Sequence, residues 1–200
     1  MRLGLYGGTF DPVHQGHLLL AEQCREQCRL DNVWLLPARI PPHKLNADIS
    51  PGKFRSEMLE FATAGYPEFS VNTMELDREG PSYTVDTLQQ LTDEDSTREL
   101  FFLIGADSLK DLPTWREPQR IAELATIVAV NRGDKPLPDL KELSNQLGSE
   151  TVQRIQIVTM PGIDVSSTDI RNRVAAGKSI RFMVPRSVEV YIKEHGLYAD

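Results

Sequence analysis

The stretch "LYGGTFDPVHQGHL", residues 5–18, holds two adjacent glycines, a Phe-Asp-Pro and two histidines three apart. Residues 2–6 in front of it read as a strand, and residues 17–30 behind it as an amphipathic helix. An ordinary turn needs one glycine, and an ordinary helix mouth needs no histidine. Gly7 and Gly8 therefore fall at the carboxyl end of the first strand, where open α/β sheets bind ligands. Glycine there permits positive φ and lets the backbone approach a phosphate closely. The helix that follows offers unpaired N–H groups and a positive dipole end to an anion.

Outward from this loop, the strand–helix alternation continues. Further strands are expected at 32–37, 69–73, 99–104, 126–131 and 154–159, with helices at 54–64, 83–91, 118–124, 140–147 and two near the end. "FFLIG" and "ATIVAV" are almost continuously apolar, as in parallel strands covered on both faces. The pattern predicts an α/β fold: a Rossmann-like, doubly wound, mostly parallel sheet flanked by helices. No repeat, low-complexity tract or long Pro/Gly/Ser linker divides it, so residues 1–200 are expected to form one domain. Two connections, 38–52 with "ARIPPHK" and 132–138 with "RGDKPLP", are longer than turns require and are candidates for function or mobility.

Composition narrows the chemistry. A net charge of −7, with 40% apolar and 26% charged residues, fits a globular protein and argues against a nucleic-acid binder. No apolar run approaches the roughly 18 residues of a membrane helix. The chain opens directly as a strand, without a basic leader and apolar stretch, so a cytoplasmic location is expected. Cys24 and Cys28, four apart on one helical face, fit a buried stripe better than a zinc site, which needs more ligands.

The first loop is neither GxGxxG nor GxxxxGK[ST], which weakens a dinucleotide oxidoreductase and a P-loop hydrolase. His14 and His17 span a helix start, so both imidazoles can face one pocket and donate to a polyphosphate. A zinc pair is the alternative, but His43 and His195 have no matching acidic partner nearby in sequence. Further along, "DVSSTDIRNRV" (164–174) opens a helix with Ser166 and Asp169 spaced as a capping pair. Capping does not explain Arg171, one turn in, which beside bare helix N–H groups would make a second phosphate cradle. "EGPSYTVDT" (79–87) starts another helix, with Ser82 expected as its cap and Tyr83 and Thr84 at its mouth. Trp115, in the Pro-bounded "LPTWREP", is either surface packing or a platform for a flat ring. Asp107, after "FFLIG", suits recognition of a ribose hydroxyl or the capping of a short turn.

Taken in order, "GGTFDPVHQGH" (7–17), "PARIPPHK" (37–44), "GPSYTVDTL" (80–88), "FLIGADSL" (102–109) with Trp115, and "VSSTDIR" (165–171) resemble the HxGH nucleotidyltransferase superfamily. Among its small adenylyltransferases the chain most resembles the bacterial nicotinate-nucleotide adenylyltransferases. The resemblance implies transfer of the adenylyl group of ATP to nicotinate mononucleotide, with Mg²⁺, giving nicotinate adenine dinucleotide and pyrophosphate. It implies catalytic roles for His14, His17 and Arg171 and no metal ligand from the protein. For ATP it implies Gly7, Gly8, Thr9, Phe10, Lys44 (with His43 beside it), Gly105, Asp107 and the segment Ser166, Ser167, Thr168. For the pyridine nucleotide it implies Tyr83, Thr84 and Trp115. Arg116, where an aromatic residue is also found in the family, is left out of the expected site.

The rivals differ in what they must explain. A nicotinamide-mononucleotide adenylyltransferase differs by one charge on the substrate. A phosphopantetheine enzyme has no ring for Trp115 to stack on. A non-catalytic nucleotide sensor is expected to have lost a phosphate-holding residue, yet His14, His17 and Arg171 are all present. A class I aminoacyl-tRNA synthetase fragment fits poorly with the acidic chain. The oligomeric state is not readable from the sequence.

Overall fold

Six strands in the order β3-β2-β1-β4-β5-β6 form one sheet, and every neighbouring pair is parallel. The computed structural model describes residues 1–41, 49–133 and 139–199. The strands are β1 (Arg2–Gly8), β2 (Asn32–Pro37), β3 (Phe69–Val71), β4 (Glu99–Gly105), β5 (Thr126–Arg132) and β6 (Ile155–Met160). The expectation of a mostly parallel sheet thus becomes a wholly parallel one. The order reverses between β1 and β4, which opens a crevice at their carboxyl ends.

Helices cover both faces because the strands are apolar on both. Alternate residues of a strand point to opposite faces. Tyr6, Val33, Leu35, Phe101, Leu103, Val128 and Val130 enter one layer of core. Leu3, Leu5, Leu36, Phe102, Ile104, Ile127 and Ala129 enter the other. The first layer is closed by α1 (Gln15–Gln27), α2 (Gly52–Thr63), α8 (Ser167–Ala175) and α9 (Arg186–Glu194), through residues such as Leu20, Cys24, Met58, Ile170 and Val188. The second is closed by α4 (Thr84–Glu94), α5 (Pro118–Leu124) and α6 (Leu140–Leu147), through Leu88, Leu91, Ile121 and Leu143. Two short helices, α3 (Met74–Asp77) and α7 (Ser149–Gln153), and two single turns of 3₁₀ helix (Ala106–Leu109 and Leu112–Thr114) complete the described elements. Cys24 and Cys28 are free and buried in the first layer, as the stripe reading expected. Among the described residues no helix is long and apolar enough to cross a membrane.

Candidate active site

A cleft of about 430 Å³ opens where β1 and β4 end. Its floor is Tyr6, Gly7 and Gly8 of β1 with Leu103, Ile104 and Gly105 of β4. The first loop forms one wall, with Thr9, Phe10 and His17. Opposite stand Ser82, Tyr83 and Thr84 at the mouth of α4, and Trp115 and Arg116 after the second 3₁₀ turn. Asp107, Ser108 and Arg132 close the far side.

The first loop departs from expectation in its glycines. Gly7 and Gly8 are strand residues of β1, and the positive φ falls instead on Phe10, at 49°. Gly8 is required by packing: a Cβ there would come within 2.9 Å of the Phe10 ring. That left-handed turn is costly for a bulky side chain, and the Phe10 ring, 1% exposed, is held edge-on by Tyr6 and His17. Gly16 works alike under His14, whose ring would lie 3.1 Å from an added Cβ.

The two histidines differ in position. Their rings stack at 3.6 Å between centroids, and the His14 N–H donates to His17 Nδ1 at 3.3 Å. His17 lines the cleft, whereas His14 is 4% exposed and lies behind it. The expectation that both would face one pocket is corrected: helix geometry places one imidazole at the mouth and the other against it. Burial pushes the His14 pKa down to about 4, with the Arg132 guanidinium adding to the effect, so His14 is neutral at pH 7. Its Nδ1 is buried without a hydrogen bond among the described residues. Neutral, it still has one N–H to give.

The start of α8 reaches the loop from behind. Ser166 caps α8 by accepting the Asp169 N–H at 3.1 Å, as its spacing predicted. Ser167 Oγ donates to the Pro12 carbonyl at 2.9 Å, and Arg171 Nη1 to the Asp11 carbonyl at 2.6 Å. Arg171 Nη2 also lies 3.5 Å from Thr168 Oγ1. The start of α8 is thus joined to the first loop, although neither Arg171 nor Ser166–Thr168 lines the cleft itself. Lys44 and His43 lie outside the described residues, as do the rest of 42–48 and residues 134–138.

The opposite wall also carries corrections. The N-cap of α4 is Tyr83, without a side-chain cap bond, so Ser82 is not the cap. The Ser82 hydroxyl instead accepts the Arg39 N–H at 3.0 Å, because Ser82 precedes the turn by one residue too many. Thr84 heads the helix, and Tyr83 and Thr84 both line the cleft. Beside it Glu75 is buried, its hydroxyl partner Thr87 at 2.8 Å, and burial raises its pKa. Trp115 packs edge-on against Phe102 at 5.9 Å, leaving it half-buried over the cleft. Arg116, left out from sequence, lines the cleft, lies 4.9 Å over the Tyr83 ring and reaches Asp86 at 3.2 Å.

Arg132 was missed as well. It ends β5, beside the Gly105 end of β4, where a Cβ on Gly105 would be 3.7 Å from its Nη2. Its strand position was the available signal, since site residues gather at the carboxyl ends of parallel strands.

This cleft defines a class: an α/β protein with a wholly parallel sheet and a cleft at the topological switch point between β1 and β4. A family model described as cytidylyltransferase-like matches residues 5–173. A relative from Thermomicrobium roseum is 48% identical over 98% of this chain and 91% of its own length. One from Thermus thermophilus is 46% identical over 99% of this chain and 100% of its own. Both bear the name "Probable nicotinate-nucleotide adenylyltransferase". The chain belongs to the nicotinate-nucleotide adenylyltransferases, within the cytidylyltransferase-like family. The Plasmodium falciparum nicotinic acid mononucleotide adenylyltransferase, solved in complex with NaAD, shares the fold with a TM-score of 0.79 at 16% identity, over 98% of this chain and 97% of that one.

Proposed function

We propose that this chain transfers the adenylyl group of ATP to nicotinate mononucleotide, releasing pyrophosphate and nicotinate adenine dinucleotide. The observation that carries the reading is the two-ended cleft, with His17, Phe10 and Arg132 at one end and Tyr83, Thr84 and Trp115 at the other. One substrate oxygen of the mononucleotide phosphate forms a bond to the α-phosphorus of ATP. The bond from that phosphorus to the β-bridging oxygen breaks, and pyrophosphate leaves with the electron pair. The attacking phosphate is already anionic at neutral pH, so no general base is needed, and catalysis rests on positioning and charge.

In this reading His17 and Arg132 meet the charge developing on the phosphates. His14, neutral and stacked behind, fixes the ring of His17. Arg171 and Ser166–Thr168 brace the loop and offer the α8 N-terminus to the leaving end. Gly7–Phe10, Gly105 and Asp107 shape the adenylate site. Trp115 stacks the pyridine ring, and the mouth of α4 with Thr84 receives the nicotinate carboxylate. Arg116, added here, brings a second positive group to that carboxylate.

Adenylyl transfer from ATP generally needs a divalent metal. Among the described residues no group of three His, Cys, Asp or Glu side chains could hold one. In our reading the cation is Mg²⁺, and it would enter on the triphosphate, held mainly by phosphate oxygens. When bound it neutralises charge on the departing pyrophosphate. Residues 1–200 act as one nucleotidyltransferase domain in a cytoplasmic setting, where free buried thiols such as Cys24 and Cys28 stay reduced.

Pyrophosphate release with ATP, Mg²⁺ and nicotinate mononucleotide tests the reading. Release dependent on all three supports it. ATP binding without release would instead support the nucleotide sensor.

A further inference from the structure

We propose that Arg55 and Tyr198 are positioning residues for adenylyl transfer, acting through the backbone of Thr9–Asp11 rather than on substrate. The inference rests on the function proposed above. Arg55 comes from α2 and is 2% exposed. Its Nε donates to the Ser50 carbonyl at 2.8 Å, and its Nη1 to the Ala38 carbonyl at 2.8 Å and the Thr9 carbonyl at 2.9 Å. One guanidinium therefore ties the first loop to both ends of the 38–50 connection. Asp11, 3% exposed, lies beside it and completes the cluster: its carboxylate accepts the Ser50 N–H at 3.1 Å and the Tyr198 hydroxyl at 2.6 Å.

A buried cation is an expensive way to fill space, because an apolar side chain of similar volume is often as stabilising. Burial indeed works against the Arg55 charge, and Asp11 works in its favour. What an apolar side chain cannot do is orient peptide groups. The C=O and N–H of one trans peptide point in opposite directions. Holding the Thr9 carbonyl toward Arg55 turns the Phe10 N–H away from it, and that N–H makes no hydrogen bond among the described residues. The same grip holds Phe10 in its left-handed turn, which a bulky residue does not keep unaided. Directly after Asp11 comes the start of α1, with His14 and His17. The loop is thus set from α2 through Arg55 and from the C-terminal segment through Tyr198, both remote in sequence from the site they aim.

Three variants test this: Arg55→Met, Arg55→Lys and Tyr198→Phe. For each, kcat and KM of pyrophosphate release, amide hydrogen exchange over residues 8–14 and in β5, and Tm are measured. Arg55→Met is expected to lower kcat about 100-fold, the cost of a misplaced reacting group, with a smaller change in KM. Exchange over 8–14 should quicken while β5 stays protected. Arg55→Lys should recover only part of the loss, since a single ammonium nitrogen cannot span the positions that Nε and Nη1 of the planar guanidinium reach. Tyr198→Phe removes one hydrogen bond and should cost about fivefold in kcat. A lowered Tm with unchanged kcat, KM and local exchange would make Arg55 a purely structural residue and overturn the proposal. If Arg55→Met does not fold, Tyr198→Phe decides: unchanged kcat and unchanged exchange over 8–14 overturn it. If the wild-type chain releases no pyrophosphate, the functional reading fails by itself. Exchange over 8–14 in Tyr198→Phe then upholds or overturns the positioning claim alone.

Discussion

The two ends of the cleft are built differently. At the phosphate end the loop from Thr9 to His17 is held by part-buried bonds and stacked imidazoles: Arg55 on the Thr9 carbonyl, Tyr198 on the Asp11 carboxylate, and Arg171 and Ser167 on the Asp11 and Pro12 carbonyls. At the ring end Arg116 is exposed, its pair with Asp86 lies in solvent, and its contact with Tyr83 is a surface cation–π contact. A loop tied by several part-buried bonds is fixed before substrate arrives, whereas exposed pairs shift at little cost. In the proposed reaction charge develops at the rigid end, where preorganisation would lower the barrier, and the adaptable end would choose which ring is bound. The difference suggests that changes at the first end act on kcat and changes at the second on KM and selectivity.

The strongest way to break this comparison is His17→Ala, which should lower kcat about 10²–10³-fold, the cost of one preorganised donor. Unchanged turnover in that variant would sink the mechanism. Next is Arg132→Met, expected to lower kcat about 10²-fold for the same reason. It should also move the His14 pKa upward from about 4, though burial, the larger cause, keeps it below the ordinary 6.5. The sign for stability follows. His14 is neutral when folded but takes up a proton near pH 6.5 when unfolded, so its contribution is complete above that pH. As pH falls from about 6.5 to about 4 the folded state should weaken, at up to about 1.4 kcal/mol per pH unit from this group. Denaturant titrations at several pH values, with NMR titration of His14, check both statements.

The ring end should respond otherwise. Trp115→Ala is expected to raise KM for nicotinate mononucleotide about tenfold while sparing kcat, since lost stacking is uniform binding. A fall in kcat with unchanged KM would place Trp115 in the chemistry instead. Smallest is Arg116→Ala, which should reduce the preference for nicotinate over nicotinamide only about threefold, the worth of an exposed charge. A loss of the whole preference would mean that Arg116, and not the mouth of α4, reads the carboxylate.

How far this site could be read from the chain depended on whether its parts are local. The segments 32–37, 118–124 and 140–147 were legible to the residue, because apolar periodicity and a proline at a helix start are local signals. Helices α3 and α7 were not, being four and five residues long and too short for a period to repeat. The Ser166 cap was legible for the same local reason, while Ser82 was misassigned by one position in an equally local pattern. Arg132 and Arg116 enter the site through strand order and a Pro-bounded turn, which bring together parts of the chain far apart in sequence. The separation of His14 from His17 was likewise invisible, since spacing gives a shared helical face but not which ring reaches the surface.

The measurement that tests the central claim most directly is pyrophosphate release from ATP and Mg²⁺, with nicotinate and nicotinamide mononucleotides compared side by side. A strong preference for nicotinate is expected, expressed in KM, with both mononucleotides still turned over. Equal rates would contradict the anion site at the Thr84 mouth, and release with neither would contradict the enzyme.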